Sequence, residues 1–350
     1  LRRLLIPLSF LYGFISFIRN RCYDWGIIKS SKPVIPAIVV GNLSMGGSGK
    51  TPFSEYLIRH FLSLDIKVSF LSRGYGRKSK GFLIYKKDAV NATQIGDEPM
   101  QIALKFRNIP VAVCENRLKG IEQIANLHKG CQLVILDDAY QHRSVKPDFS
   151  ILIFDYTRLH LPLLPFPTGN QREFLCEKNR ADILIINKCP VKLKDAEKQV
   201  LIDRIKPLPQ QKIYFTTIEY GDIKSVFSNE KLRDTNSKMD CIVFCGIANP
   251  TPFLSFCDEN FNVLDKIIFN DHHTYIPEDI QSIRKRFINT KSNHCILLCT
   301  EKDRVKLISK EFKILFHQLP VYFIEIKIRF LERENEFHQD LQRTLQNIDK

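Results

Sequence analysis

None of the ten cysteines forms a CxxC pair, and the chain has neither a Gly/Ser-rich linker nor an internal repeat. The first absence removes support for zinc and thiol-redox motifs and leaves reduced, buried thiols, as in the apolar run Cys241 to Cys245. The second removes repeat arrays and strings of tethered modules. No zinc finger and no RNP-like stretch is present, so the formal charge of +14 argues for an anionic lipid or phosphate rather than nucleic acid. A long membrane span is also missing. The most apolar stretch, Leu1 to Ile18, is interrupted by Pro7 and Gly13 and falls short of the roughly 20 residues that crossing needs.

That stretch is flanked by Arg2, Arg3, Arg19 and Arg21, the pattern of a helix lying among lipid headgroups. A helix packed on the domain is the alternative. A secretory signal would want small residues at a cleavage site, where Asn20 to Asp24 has none. The chain starts at Leu1 without methionine, so a few preceding residues are expected. With 44% hydrophobic and 26% charged residues, the remainder reads as compact and globular, large enough for one α/β unit or two joined domains.

Val34 to Val40 is a β-branched apolar run that ends in Gly41-Asn42 and passes through Ser44-Met45-Gly46-Gly47-Ser48-Gly49-Lys50-Thr51 into a helical pattern from Pro52 to Leu64. Strand, glycine-rich loop and helix in that order form a phosphate cradle. Backbone N–H groups can wrap phosphate oxygens, Lys50 can reach the β- and γ-phosphates of a nucleotide, and the Thr51 hydroxyl can hold Mg²⁺. Ser44 stands where GxxxxGK[ST] has its first glycine. The variant loop of dimerising partition ATPases would need a lysine where Met45 stands, which argues against that class. A second strand-like run, Gln132 to Leu136, ends in Asp137-Asp138, where an open α/β sheet presents metal-holding carboxylates.

Three further clusters follow strand-like or turn-like segments: Ser72 to Arg77, Gly96 to Pro99, and Asp271-His272-His273. Phosphoryl transfer to an alcohol needs a group to take the proton and cations to spread the moving charge. Asp97 or His272 suits the first role. Arg73, Arg77 or Arg172 suits the second. Each cluster alone is as easily a solvated loop; the phosphate cradle upstream gives them meaning.

Seven blocks in order carry a family resemblance: Pro7 to Gly13, Val40 to Pro52, Leu71 to Arg77, Gly96 to Pro99, Leu136 to His142, Phe269 to Tyr275 and Thr300 to Asp303. On these blocks the chain resembles the tetraacyldisaccharide 4′-kinase family, which phosphorylates a lipid A precursor. The resemblance implies ATP-dependent phosphorylation of the 4′-hydroxyl of a tetraacylated glucosamine disaccharide 1-phosphate at the cytoplasmic face of the bacterial inner membrane, with the N-terminal helix as anchor. It implies that Ser44 through Thr51 hold ATP and that Thr51, Asp137 and Asp138 stand at the magnesium. It also implies that Asp97 takes the proton, with His272 tuning it. Gln141, His142 and Arg172 fall near the phosphates and acceptor. Two departures occur: Phe174 follows Arg172-Glu173 where a proline is expected, and Asn187 precedes Lys188-Cys189 where threonine is usual. Asn187-Lys188 is faintly like a guanine-reading motif, but Pro190 stands where its aspartate should be, so ATP is favoured.

The expected fold is α/β, a P-loop NTPase-like doubly wound, mostly parallel sheet with a smaller C-terminal α/β lobe. Its divisions are 1–30 (membrane-associated helix), 31–220 (nucleotide-binding core) and 221–350 (second lobe). The lysine-rich Lys192 to Gln211 reads as a solvated helix or connection. The rival function is a membrane-associated P-loop ATPase or GTPase acting as a switch or chaperone, which needs no base for an acceptor hydroxyl. A module that merely anchors phosphorylated headgroups is a second.

Overall fold

The computed structural model describes residues 5–348 apart from 88, 233–237, 291 and 293, and side chains only as far as 343. Arg2 and Arg3 therefore lie outside the described residues. The chain divides into two compact units, Leu1–Ile218 with Ile328–Lys350, and Glu219–Lys327. Residues 328–350, assigned from sequence to the C-terminal lobe, thus belong with the first unit, and no linker composition marks either crossing because both fall inside strands.

The first unit opens with α1 (Ile6–Asp24), then β1 (Ala37–Gly41), α2 (Lys50–Ser63), β2 (Val68–Ser72), β3 (Leu83–Ile84), α3 (Ala92–Ile95), α4 (Asp97–Lys105), β4 (Val111–Val113) and α5 (Arg117–Leu127). It continues through β5 (Leu133–Asp137), β6 (Phe149–Asp155), α6 (Tyr156–Leu159), β7 (Ile183–Asn187), α7 (Asp195–Ile205) and the first half of β8 (Lys212–Ser225). The strand order is β8-β7-β6-β1-β5-β2-β4-β3. β1 pairs in parallel with both β5 and β6, and the short β3 pairs antiparallel with β4. Strands covered on both faces must be apolar throughout, and β1, β2, β5, β6 and β7 are buried at every residue.

On one face Val39, Leu71, Val134, Leu136, Leu184 and Ile186 meet Ile121 and Ile124 of α5 and Leu201 and Ile205 of α7. Of the two readings of the lysine-rich Lys192 to Gln211, α7 is the helix, mostly solvated and seated by the apolar stripe of Leu201 and Ile205. α2 packs on β1, β2 and β5, and its Phe53, Leu57, Ile58 and Phe61 are all fully buried. Each such side chain contributes about 1.5–3 kcal/mol of burial free energy. This seating fixes the start of α2 against the end of β1.

The second unit holds the rest of β8, β9 (Asp240–Cys245), α8 (Thr251–Asn260), β10 (Asn262–Ile268), α9 (Pro277–Asn289), β11 (Cys295–Thr300), α10 (Glu301–Leu307), α11 (Lys310–Leu315) and most of β12 (Val321–Phe330). Its parallel strands run in the order β10-β9-β11-β12. Ile280 and Ile283 of α9 cover one face, and Phe253 and Cys257 of α8 cover the other. The chain then returns to the first unit and ends in α12 (Glu334–Ile348), whose Phe337 packs edge-on against Phe53 of α2. All ten cysteines are free, and most are buried, with Cys176 exposed.

Candidate active site

In the first unit the strand order reverses at β1, between β5 and β6, and a crevice opens at such a point beyond the carboxyl ends of the strands. Ser44 to Thr51 fill it. The loop is braced from all sides: Asn42 Nδ2 donates to Ser48 Oγ at 2.9 Å, and the Met45 N–H donates to the Asn170 carbonyl at 2.7 Å. The Arg158 guanidinium binds the Met45 carbonyl, and the Lys188 ammonium binds the Gly47 carbonyl and pairs with Asp155 at 2.8 Å. Asn187 Nδ2 donates to the Ser48 carbonyl at 3.0 Å, while its Oδ1 accepts from Thr216 Oγ1 at 3.0 Å. With the Met45, Gly47 and Ser48 carbonyls bound from outside, the loop can turn its other N–H groups, beyond those of Met45 and Ser48, to an anion.

Gly49 joins loop to helix at φ +89°, and a Cβ there would sit 2.1 Å from Asn187 Nδ2. Gly49→Ala is expected to lower ATP affinity by at least tenfold, because strain and clash together displace the loop or Asn187. Titration with a fluorescent ATP analogue checks this, with circular dichroism to show that the fold survives.

Lys50 starts α2, and its Nζ lies 3.5 Å from Asp138 Oδ1. Thr51 Oγ1 donates to Asp137 Oδ2 at 2.9 Å, and Ser54 Oγ donates to Asp137 Oδ1 at 3.1 Å. Burial and the Asp138 charge push Asp137 up to about 6, against the pull of Lys50 and Thr51; Glu98 is near enough to add to the rise. Burial also acts to raise Asp138, but Lys50 and Arg172, the latter 2.8 Å away, hold it below the ordinary carboxylate range. Asp138 itself has φ +49°, which turns it off the end of β5.

These groups fit magnesium. The donors are hard oxygens, one carboxylate is buried among too much negative charge, and magnesium typically takes one or two carboxylates with phosphates and waters. Among the described residues no group of three or more His, Cys, Asp or Glu forms a metal site by itself.

The other expected residues distribute unevenly. Asp97 is the first residue of α4, directly after Gly96 and beside Glu98. Gln141 Nε2 donates to the Asn42 carbonyl at 2.8 Å, and its Oε1 accepts from Arg172 Nη1 at 3.4 Å. His142 is held down to about 4 by burial and then by the charges of Arg117, Arg73 and Arg19, so it stays neutral beside three cations. Arg77 is engaged elsewhere: its buried guanidinium binds Glu115 at 2.5 Å, the Gly81 carbonyl at 2.6 Å and Ser79 at 3.1 Å, closing its own loop. His272 belongs to the second unit, at φ +58°, with Lys302 Nζ 3.3 Å from its Nε2. In the same unit buried Asp303 accepts from the Gly246 N–H at 3.1 Å, Tyr275 Oη at 3.0 Å and Thr300 Oγ1 at 2.6 Å, fixing three strand-end segments.

Sequence reasoning passed over Arg158, Asp155 and Asn42, which brace the loop. It noticed Asn187-Lys188 as a departure from the family's threonine and as a faint base reader, without a role in the loop. Their signal was position: Asn42 directly follows β1, Asp155 ends β6 and Asn187 ends β7, and the carboxyl ends of these neighbouring strands meet at the loop.

The parallel sheet with its braced Ser44 to Thr51 loop defines a P-loop nucleotide-binding protein. The sequence model of the tetraacyldisaccharide-1-P 4′-kinases (LpxK) matches residues 1–346, and this chain belongs to that family. It is 38% identical to the tetraacyldisaccharide 4′-kinase of Bacteroides thetaiotaomicron over 96% of this chain and 91% of that protein. With the enzyme of the same name from Flavobacterium johnsoniae it shares 40% identity, covering 96% and 95%. The crystal structure of an "apo" form LpxK from Aquifex aeolicus in complex with ATP is similar throughout: TM-score 0.77, 30% identity, 98% of this chain and 99% of that one.

Proposed function

We propose that this chain transfers the γ-phosphate of ATP to the 4′-hydroxyl of a tetraacylated glucosamine disaccharide 1-phosphate while lying on the cytoplasmic face of the bacterial inner membrane. The observation that carries the catalytic part is the Lys50–Asp138 and Thr51–Asp137 pairing under the phosphate loop, in a chain matched along almost its whole length to this kinase family. The family match favours the kinase over a nucleotide-dependent switch.

The Ser44 to Thr51 loop and Lys50 bind the nucleotide phosphates and hold the γ-phosphorus for in-line attack. Thr51, Asp137 and Asp138 would hold magnesium, which would offset negative charge on the phosphates. Asp97 accepts the acceptor's hydroxyl proton as the new O–P bond forms and the bond from phosphorus to the β-phosphate oxygen breaks. ADP leaves with that electron pair. His272 tunes Asp97. Arg73, Arg172, Gln141 and His142 position phosphates and acceptor.

The membrane reading rests on an inverted helix. α1 turns Ser9, Gly13 and Asn20 inward, with a Cβ on Gly13 only 2.6 Å from the Phe174 ring, and leaves Leu8, Phe10, Leu11, Phe14, Ile15 and Ile18 exposed. An apolar face directed outward suits an interfacial helix, and among the described residues no helix is long and apolar enough to cross a membrane.

Labelled γ-phosphate from ATP is expected in detergent-dispersed lipid A disaccharide monophosphate; labelled phosphate released to water with none in the lipid would favour the switch. Binding to anionic vesicles is expected to weaken as salt shortens the screening length, with Arg19 and Arg21 near the surface. Co-sedimentation that stays level across a salt series would remove the electrostatic part.

A further inference from the structure

On the inner side of α1, Asn20 is completely buried in a helix whose outer side is apolar. Its Nδ2 donates to Glu173 Oε1 at 2.8 Å. Glu173 is itself buried, and its carboxylate collects Arg19 at 3.4 Å, Arg180 at 3.0 Å and Gln141 Nε2 at 3.2 Å. Gln141 in turn donates to the Asn42 carbonyl, and Asn42 spans the phosphate loop to Ser48. The other end of the Gln141 amide meets Arg172, which pairs with Asp138, which pairs with Lys50. A continuous line of polar contacts therefore runs from the helix with the exposed apolar face to the loop that holds the phosphates.

We infer that Asn20 is a positioning residue for phosphoryl transfer: through Glu173 and Gln141 it makes the seating of α1 felt at the backbone leading into the phosphate loop. The physical ground is competition for donors. A buried carboxylate needs every hydrogen bond it has. Without Asn20, Glu173 draws harder on the Gln141 amide group, which it shares with the Asn42 carbonyl. Asn42 then loses its outside brace. α1 itself stays docked, because Ser9 Oγ holds Thr168 Oγ1 at 2.7 Å, Arg21 pairs with Glu177 at 3.1 Å, and Asp24 pairs with Arg143 at 2.6 Å. This inference rests on the kinase and membrane readings for its meaning, since it makes turnover answer to how the lipid-facing helix sits.

The test uses the full chain with detergent-dispersed acceptor, so that loss of vesicle binding plays no part. Asn20→Ala is expected to lower kcat about 5- to 30-fold, the range of couplings carried by packed polar networks, with KM for both substrates within about twofold. Hydrogen exchange of the amides of residues 42–48 is expected to quicken in the same variant. Ser9→Ala, which removes a contact of similar size from the same helix outside this line, is expected to change neither. If Asn20→Ala does not fold, Asn20→Ser, which keeps a smaller donor, carries the same comparison with a smaller effect. Turnover and loop exchange that match the native chain, or that move equally in Ser9→Ala, would overturn the inference. A native chain that labels no lipid would instead remove the kinase reading, and loop exchange would still decide the coupling.

Discussion

Lys50→Ala is expected to reduce phosphate transfer by about 10²–10³ in kcat, the loss found when one preorganised donor to a transition-state charge is removed. The geometry gives the reason. Lys50 leaves the first turn of α2, and its Nζ is 3.5 Å from Asp138 and nearly shielded from solvent. There it faces both the phosphate site and an acidic pair whose first member is already pushed up to about 6. Its removal takes away the cation that reaches the transferring group and leaves two adjacent carboxylates with Arg172 as the nearer remaining partner. ATP affinity should fall as well. Label transfer at saturating ATP separates the two effects. A variant that turns over within a few-fold of the native chain would mean that the lysine braces Asp138 without touching the reaction.

Asp97→Asn is expected to cost about 10²–10⁴ in kcat, the span for loss of a positioned general base. The change keeps size and hydrogen-bonding reach but removes the proton acceptor. It stands at the first turn of α4, and because the change is isosteric ATP affinity should hold within a few-fold. That split, turnover lost and nucleotide binding kept, distinguishes a base from a residue that shapes the nucleotide site. His272→Ala should reduce turnover less, as befits a tuning partner. Equal ATP hydrolysis by the Asp97→Asn and native proteins, with no lipid labelled by either, would return the nucleotide switch to favour.

Much of the site was legible because its chemistry is local. The Ser44 to Thr51 cradle is one unbroken segment, so the strand before it and the helix after it could be inferred from residue order alone. Asp137-Asp138 was recognisable for the same reason, as an acidic pair ending an apolar run. Buried parallel strands such as β1, β5 and β7 announced themselves as solid apolar runs. β4 is only three residues long, and β10 alternates between exposed and partly buried positions, so neither gives such a run. β8 turns from buried to half-exposed near its middle, where it leaves one unit for the other, and composition carries no mark of that crossing.

What the sequence by itself determined is the chemistry available: a phosphate loop, a lysine, two adjacent acids, a candidate base and an apolar basic-flanked N-terminus. Tertiary structure alone decided which polar groups serve that chemistry. Arg77 is engaged by Glu115 and its own loop, Asn187 and Lys188 hold loop carbonyls, and Asn20 joins Glu173 across 153 residues of chain. The physical reason is that a contiguous motif carries its geometry in its own backbone. A hydrogen bond between distant segments exists only once packing has brought the partners together and excluded the water that would otherwise satisfy them.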